Sequence, residues 1–379
     1  MKNRKCIIFG RYADNVLGQL RSFGEIGVSS DIVFYGDDAR LLQFSKYIGK
    51  LVCVSGFEEG IEYLIKHYGN NPLKNIISTD NDGVVCELDR HYSKLIDRFI
   101  FFNAGEEGRL SRFMEKNEQC KLALECGIRV PKTEKIKIGE FPKTLQYPIF
   151  TKCIDSYDLA WKSGVCICYT KDDLIAYYNR RPQESYVLLQ EYIDKKNEYI
   201  LQGIPINAGE DLYLPIEGGY YRLPKDAYGS YLFFKSYSHG NDFKNRLQNM
   251  FKKIRYSGVF EIEFLVGKDD TLYFLEINFR HTLWNHTFTD MGINLCKIWA
   301  ESEICGKLCT HDARIKKEPH NLMREIIDFK RCRKDKSRSL WGWLKDVINT
   351  DSFVIWAKKD PFPFVYYIAI RLLKPFHLS

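Results

Sequence analysis

Over its first hundred residues the chain alternates short apolar runs with amphipathic stretches. Cys6-Ile-Ile-Phe9 ends at Gly10, and Leu17, Leu20, Phe23 and Ile26 then recur at helical spacing, which predicts a strand over 6–9 and a helix over 16–26. Apolar runs at 32–35, 51–54 and 76–79 predict three more strands, the last ending at Asp80, with a short helix through Leu42 and Tyr47 and another over 61–67. Strands separated by helices build a parallel sheet, and ligands of such sheets sit at the carboxyl ends of the strands. Gly10-Arg-Tyr-Ala-Asp-Asn15 follows the first strand without the Gly-x-Gly-x-x-Gly spacing, so a dinucleotide fingerprint is rejected.

Beyond residue 110 the pattern changes. Residues 111–127 read as a helix stopped by Gly127 and followed by Ile128-Arg-Val-Pro131. Residues 147–152 read as a strand ending in Lys152, and the polar loop after it carries a second lysine, Lys162. Two lysines bracketing a loop suit a lid over a polyphosphate, although polar loops with solvated lysines are commonplace. A further strand over 187–193 carries Gln190, Glu191, Tyr192 and Ile193, with Glu198 after a lysine-rich turn. The backbone at such a strand end can read an adenine edge, and Glu198 can accept hydrogen bonds from a ribose.

The richest pattern is a predicted hairpin. Gly258-Val-Phe-Glu-Ile-Glu263-Phe-Leu-Val turns at Gly267-Lys-Asp-Asp and returns as Tyr273-Phe-Leu-Glu276-Ile-Asn278-Phe-Arg280. Alternate residues of a strand share a face, so Glu261 and Glu263 point one way while Glu276, Asn278 and Arg280 line up on the returning strand. Mg²⁺ takes oxygen ligands, usually one or two carboxylates with phosphate oxygens completing its shell. Glu263, Glu276 and Asn278 offer such a set, and Arg280, always charged, would neutralise charge developing beside it. The plainer alternative is an amphipathic hairpin with its charged side in water. Against it, Phe260, Ile262, Phe264, Phe274 and Ile277 make the surroundings apolar, where carboxylates need a cation.

Composition bounds the rest. With 379 residues, 45% of them hydrophobic, the chain can bury a sizeable core in two or three lobes. Twelve cysteines occur without a Cys-x-x-Cys pair, some inside apolar strands, and read as reduced, buried residues of a cytoplasmic protein. Met1-Lys-Asn-Arg-Lys leads into a four-residue apolar strand, so no signal peptide is expected, and no stretch approaches the ~20 apolar residues of a membrane span. Residues 306–379 hold 16 Lys and Arg against 8 Asp and Glu, which leaves residues 1–305 at a net −1 of the chain's +7. Those cations lie beside Trp341, Trp343, Trp356 and a Phe- and Tyr-rich stretch. Three readings follow: a helical cap on the body or a dimer mate, a peripheral contact with a membrane, and, least favoured, nucleic acid. No Gly-x-Ser-x-Gly, His-Glu-x-x-His or Walker lysine motif is present; His281 and His286, near the metal strand, are the histidines to watch.

These motifs, in this order over most of residues 1–305, resemble those of the ATP-grasp enzymes. Lys116 with Gly127 and Pro131, Tyr-Pro-x-x-x-Lys152, Gln190-Glu191-Tyr192-Ile193 with Glu198, Gly-x-x-x-x-Glu263, and Glu276-Ile-Asn278-x-Arg280 carry the likeness. The loop from Cys153 to Gly164 lacks the glycine run of several branches. It looks more like the D-aspartate-ligase and carbamoyl-phosphate-synthase-like branch, as do Leu20-Arg-Ser-Phe-Gly-Glu-Ile-Gly27, Ser45-Lys-Tyr, Ser78-Thr-Asp80 and the Asp-Pro-x-Pro run at Asp360.

The resemblance implies an α/β (α+β) ATP-grasp fold with an N-terminal Rossmann-like parallel-sheet (pre-ATP-grasp) domain and a C-terminal helical extension. It divides the chain into 1–108, the N-terminal domain; 109–189, the small subdomain; 190–305, the large subdomain with the hairpin; and 306–379, the extension. It also implies ATP, with Lys116 and Lys152 on phosphates or adenine, Glu191 to Ile193 as adenine hinge beside Gln190, and Glu198 on ribose. Mg²⁺, with Mn²⁺ as the alternative, would sit on Glu263, Glu276 and Asn278, and Arg280 and Lys162 are the catalytic candidates. The expected reaction is ligation of a small-molecule carboxylate to an amine, or to a thiol, through an acylphosphate, in amino-acid or cell-envelope metabolism. Phosphotransfer to a hydroxyl and nucleotide binding without turnover are the alternatives. The acid, the amine and the oligomeric state stay open, a homodimer included.

Overall fold

The computed structural model describes residues 1, 3–152, 166–180, 186–224 and 229–373. They form two compact units: 1–110 with 200–261 and 278–379, and 111–199 with 262–277.

The N-terminal run folds as its pattern demands. Strands β1 (Cys6–Gly10), β2 (Ser30–Phe34), β3 (Ile48–Cys53), β4 (Asn75–Thr79) and β5 (Phe99–Ile100) form a parallel sheet in the order β3-β2-β1-β4-β5. The central strands β1, β2 and β4 are buried along their whole length, so they read as continuous apolar runs rather than alternating ones. Helices Ala13–Gly24, Phe57–Tyr68 and Asp82–Arg90 connect them, and Ile7, Phe9, Val33, Ile61, Leu64 and Ile77 share one core. The predicted short helix is a 3₁₀ turn, Arg40–Phe44. Gly10 is required by a close approach, since a Cβ there would come within 2.1 Å of Val16 and 2.8 Å of the Asp80 carboxylate.

In the second unit β6 (Thr133–Lys137), β7 (Ile149–Lys152), β8 (Cys166–Cys168) and β9 (Tyr186–Glu191) form an antiparallel sheet in the order β6-β9-β7-β8. Ile136, Ile149, Leu174, Tyr177 and Leu189 pack its core, against the helix Lys171–Tyr178. That helix starts with a capping box: Asp173 N–H donates to Thr170 Oγ1 while the Asp173 carboxylate accepts from Thr170 N–H. The predicted helix over 111–127 is interrupted. Glu115 is extended (φ −70°, ψ 125°), and a new helix, Lys116–Glu125, begins after it. Lys116 is therefore the first residue of a helix, not the middle of one.

The chain continues through β10 (Lys195–Ile206), β11 (Asp211–Arg222) and β12 (Tyr231–Ser236) to the hairpin β13 (Phe260–Gly267) and β14 (Leu272–Asn278). Gly267 N–H donates to Thr271 O at 2.9 Å across the turn, with Asp270 at φ +64°. The segment after residue 305 is not helix alone. Strands β15 (His320–Met323) and β16 (Ser352–Phe353) extend the sheet of β11 and β12, β15 antiparallel to β12 (Leu232 opposite Leu322) and parallel to β16. Among the described cysteines five are buried and none is in a disulfide, while Cys53 and Cys305 are exposed. No described helix is long and apolar enough to cross a membrane.

A buried ion pair ties the last part of the chain to the first helix. Arg21 Nε donates to Asp360 Oδ2 at 3.0 Å, with side-chain exposures of 0% and 1%. Arg21 Nη2 also donates to the carbonyls of Ile355 and Asp360, and the Asp360 carboxylate accepts from Ser45 Oγ at 2.8 Å and Lys46 N–H at 3.0 Å. Removing one partner strands the other charge, so Asp360→Ala should cost about 3–5 kcal/mol. Urea unfolding checks this, and a loss below about 1 kcal/mol, the range of exposed pairs, would deny the pair its role.

Candidate functional site

Each unit brings together part of the sequence-selected set. In the second unit, Lys116, the first residue of its helix, places Nζ 3.1 Å from Glu276 Oε2 on β14. Both side chains are largely covered, 13% and 26% exposed, yet reachable from solvent. The register of β14 beside this helix is held by Gln119, whose Nε2 donates to Ile277 O at 3.0 Å and whose Oε1 accepts from Ile277 N–H at 2.8 Å. Glu263 lies on β13, partly buried. Lys152 is the last residue of β7, opposite Leu188 of β9, and Lys162 lies outside the described residues.

Gln190 and Glu191 end β9, and Tyr192 and Ile193 belong to the connection between β9 and β10. The Gln190 side chain is buried and donates to Thr133 Oγ1 at 3.0 Å, while the Glu191 carboxylate accepts from Lys132 N–H at 3.1 Å. Both side chains are thus turned to holding β9 against the start of β6. Glu198 stands on β10 with its carboxylate paired to Lys195 Nζ.

The first unit holds the other group. Strand β14 ends at Asn278, and Arg280 lies in the loop beyond it, where His281 N–H donates to Thr79 O at 3.2 Å. The expected alignment of Arg280 along the strand is thus replaced by a turn onto the end of β4. Its guanidinium donates to Asp82 Oδ1 at 2.9 Å and to Asn278 Oδ1 at 3.1 Å. Burial opposes its charge, but Asp82, with Glu261 and Asp80, more than offsets that and raises its pKa. Glu261, which sequence reasoning left out of the ligand set, is buried and accepts from Gln202 Nε2, from Thr282 Oγ1 at 3.1 Å and from Asn278 Nδ2 at 3.4 Å. Asp82, Gln202 and Thr282 were not selected from sequence. Asp82 follows the Ser78-Thr-Asp80 motif by two residues, and this was the available signal.

In the second unit the carboxylates of Glu263 and Glu276 are oxygen donors of the kind a hard cation takes, Glu276 already beside Lys116, and in the first unit Asn278 offers an amide oxygen, already beside Arg280. The two histidines serve otherwise. His281 is buried with Nδ1 unpaired, its pKa pushed down to about 3 by burial, and its Nε2 lies 3.6 Å from Cys296 Sγ, a thiol that burial pushes up to about 12. His286 pairs with Glu25 at 3.0 Å, and Glu25 also holds Lys359 at 2.6 Å; against its burial, these partners bring Glu25 down to about 2.

No protein-family model matches the sequence, and no curated protein matches it. Among solved structures, N5-carboxyaminoimidazole synthetase from Staphylococcus aureus superposes with a TM-score of 0.65 at 13% identity, over 88% of this chain and 86% of that one. L-amino acid ligase from Bacillus licheniformis gives 0.59 at 12% identity over 80% and 74%. N5-carboxyaminoimidazole synthase from Aspergillus clavatus, in complex with ADP and 5-aminoimidazole ribonucleotide, gives 0.60 at 12% identity over 84% and 81%. The chain has the ATP-grasp fold.

Asp80 supplies a pH test. It is buried at the end of β4 and accepts from the N–H groups of Arg11 and Tyr12, both at 3.1 Å. Burial raises its pKa from 3.8 to about 7 despite those bonds. A carboxyl whose folded pKa is raised keeps its proton longer in the native state, so stability falls as pH rises from the unfolded value through the folded one. Asp80→Asn should lower stability by about 1–3 kcal/mol for the lost acceptor, while flattening the fall between about pH 4 and pH 7. Unfolding midpoints across that range give the slope, and an unchanged slope would contradict the assignment.

Proposed function

We propose that the chain is an ATP-dependent ligase joining a carboxylate to an amine. The observation that carries the reading is the pairing of Lys116 with Glu276 and of Arg280 with Asn278 on a chain with the ATP-grasp fold. Solved proteins of the same fold, in complex with ADP, support ATP as the nucleotide.

In this reading Lys116 and Lys152 hold the phosphates or the adenine, the backbone following Glu191 meets the adenine edge, and Glu198 takes the ribose hydroxyls in exchange for Lys195. Glu263, Glu276 and Asn278 hold Mg²⁺, which supplies charge screening for the polyphosphate when bound. A substrate carboxylate oxygen attacks the γ-phosphorus and ADP leaves, giving an acylphosphate. The amine nitrogen then attacks the acyl carbon, losing a proton as phosphate departs. The protein contributes positioning and charge, and no nucleophilic side chain is called for. Arg280 is held by Asp82 and Asn278, its charge acts on a phosphoryl oxygen in this reading, and Glu261 fixes Asn278 through its amide.

An ADP-release assay over pairs of carboxylates and amines, with the product identified by mass, tests the function. The expected outcome is ADP, phosphate and an amide. A phosphorylated alcohol would replace the ligase reading with phosphotransfer, and absence of ADP with every pair would end it. Glu276→Gln should raise the Mg²⁺ concentration needed for half-maximal turnover by about 10–100-fold with the melting temperature near wild type; unchanged activity at limiting Mg²⁺ would remove Glu276 from the site. Arg280→Lys should lower kcat by about 10²-fold with a smaller change in ATP affinity, because a point charge cannot replace the fork. Equal losses in both would place Arg280 outside the phosphoryl transfer.

A further inference from the structure

The helix Leu340–Ile348 has one face fastened to the first unit and one face left in water. Inward, Trp343 Nε1 donates to Asp328 Oδ2 at 3.0 Å, and the buried Asp346 carboxylate takes Arg222 at 2.6 Å and Arg338 at 2.9 Å. Arg222 also grips Asp328 at 2.6 Å, so the helix is pinned by a buried network and has little freedom to turn. Outward, Trp341 is 81% exposed and Ile348 82%, the largest exposures among the exposed large hydrophobics. Seven residues apart, they share a face with exposed Lys345 between them.

Two large apolar side chains presented on one fixed face and rimmed by polar residues mark an interaction surface. The charge around them says with what. Residues 330–345 carry seven Lys and Arg and one Asp, and Arg333, Lys334 and Lys336, just before the helix, are all exposed. A tryptophan and a branched aliphatic residue amid cations match the boundary of an anionic bilayer, where the indole sits at headgroup level and the ammonium groups meet lipid phosphates. Nucleic acid would use the cations but has no place for Ile348.

We propose that this face, Trp341, Lys345 and Ile348 with the cations at 333–336, docks the protein on an anionic membrane surface. The contact is peripheral, one short helix lying in the interface. It stands independently of the ligase reading, because none of its residues belongs to the nucleotide or metal set.

Cosedimentation of the full chain with phosphatidylcholine vesicles, with and without phosphatidylglycerol, tests it. Binding should require the anionic lipid and weaken as salt is raised. Trp341→Ser with Ile348→Ser should weaken it about tenfold by removing the inserted groups, and Lys334→Glu with Lys336→Glu should do the same by removing the attraction. Brominated lipid should quench the wild-type tryptophan fluorescence, and more than that of Trp341→Ser. The proposal fails if anionic vesicles bring down no protein at low salt, or if the Trp341 and Ile348 variant binds as wild type. It also fails if that variant merely abolishes self-association, which would give the face to a second copy. Duplex DNA bound equally by wild type and the Trp341 and Ile348 variant, with vesicles ignored, would give the cations to nucleic acid.

Discussion

The ion pair of Arg21 with Asp360 sets the terms for the first unit. A guanidinium with no exposure cannot be left without a carboxylate, and a buried carboxylate needs every lone pair occupied, so Ser45, Lys46 and two backbone carbonyls must converge on the same point. That convergence fixes helix Ala13–Gly24, the 3₁₀ turn Arg40–Phe44 and the loop before the last helix together. The segment after residue 305 is held in the unit at two places, by Asp360 on Arg21 and by β15 and β16 on the sheet of β12. A hydrophobic pair of equal volume would hold as well or better, so what the ions add is a specified register between distant parts of the chain.

The same rule governs the carboxylates of β13 and β14. Glu261, buried, is answered by amides and a hydroxyl, which fix its position. Glu276, partly open, is answered by a lysine, and Asn278 by an arginine. A pair with solvent access on one side can be exchanged for a ligand charge at modest cost, whereas a sealed one cannot. Glu276 thus keeps a lysine partner within reach of solvent, and Glu261, one strand over from Asn278, accepts from its amide.

Much of this was legible in the sequence, and the limits have physical causes. Four of the five parallel strands were visible, β1, β2 and β4 because both faces are buried and their apolar runs unbroken, whereas the two-residue β5 has no run to show. The hairpin was visible because period-two alternation brought acids into apolar surroundings. The motifs at Arg21, Ser45 and Asp360 were noticed separately, but nothing in linear order says that a guanidinium, a hydroxyl and a carboxylate so far apart share one bond network. Helical spacing does not reveal the break at Glu115, because so short an extended kink barely disturbs it. Arg280 was placed on the strand because alternation continues past Asn278, although the backbone had already turned toward Thr79. Net charge was the weakest guide. Arg338 is spent on Asp346, and the tail's Asp328 and Asp346 are taken by Arg222 from outside it, none of which a count of the basic tail can separate from the charges that face water.

Burial also sorts the residues fit for chemistry from those that only look so. A Cys-His pair 3.6 Å apart suggests a nucleophile and its base, yet burial drives the Cys296 thiol up and the His281 imidazole down, so both stay neutral and neither can activate the other. Lys116, Glu276 and Arg280 sit where the protein has excluded most water but not all of it. In the proposed reaction, a charge so placed remains stable and is still strong enough to act on a phosphate. In a fold whose proposed reaction needs charge held in place and no covalent catalyst, that intermediate degree of exposure is the property to look for, and fully buried pairs are scaffolding however suggestive their chemistry.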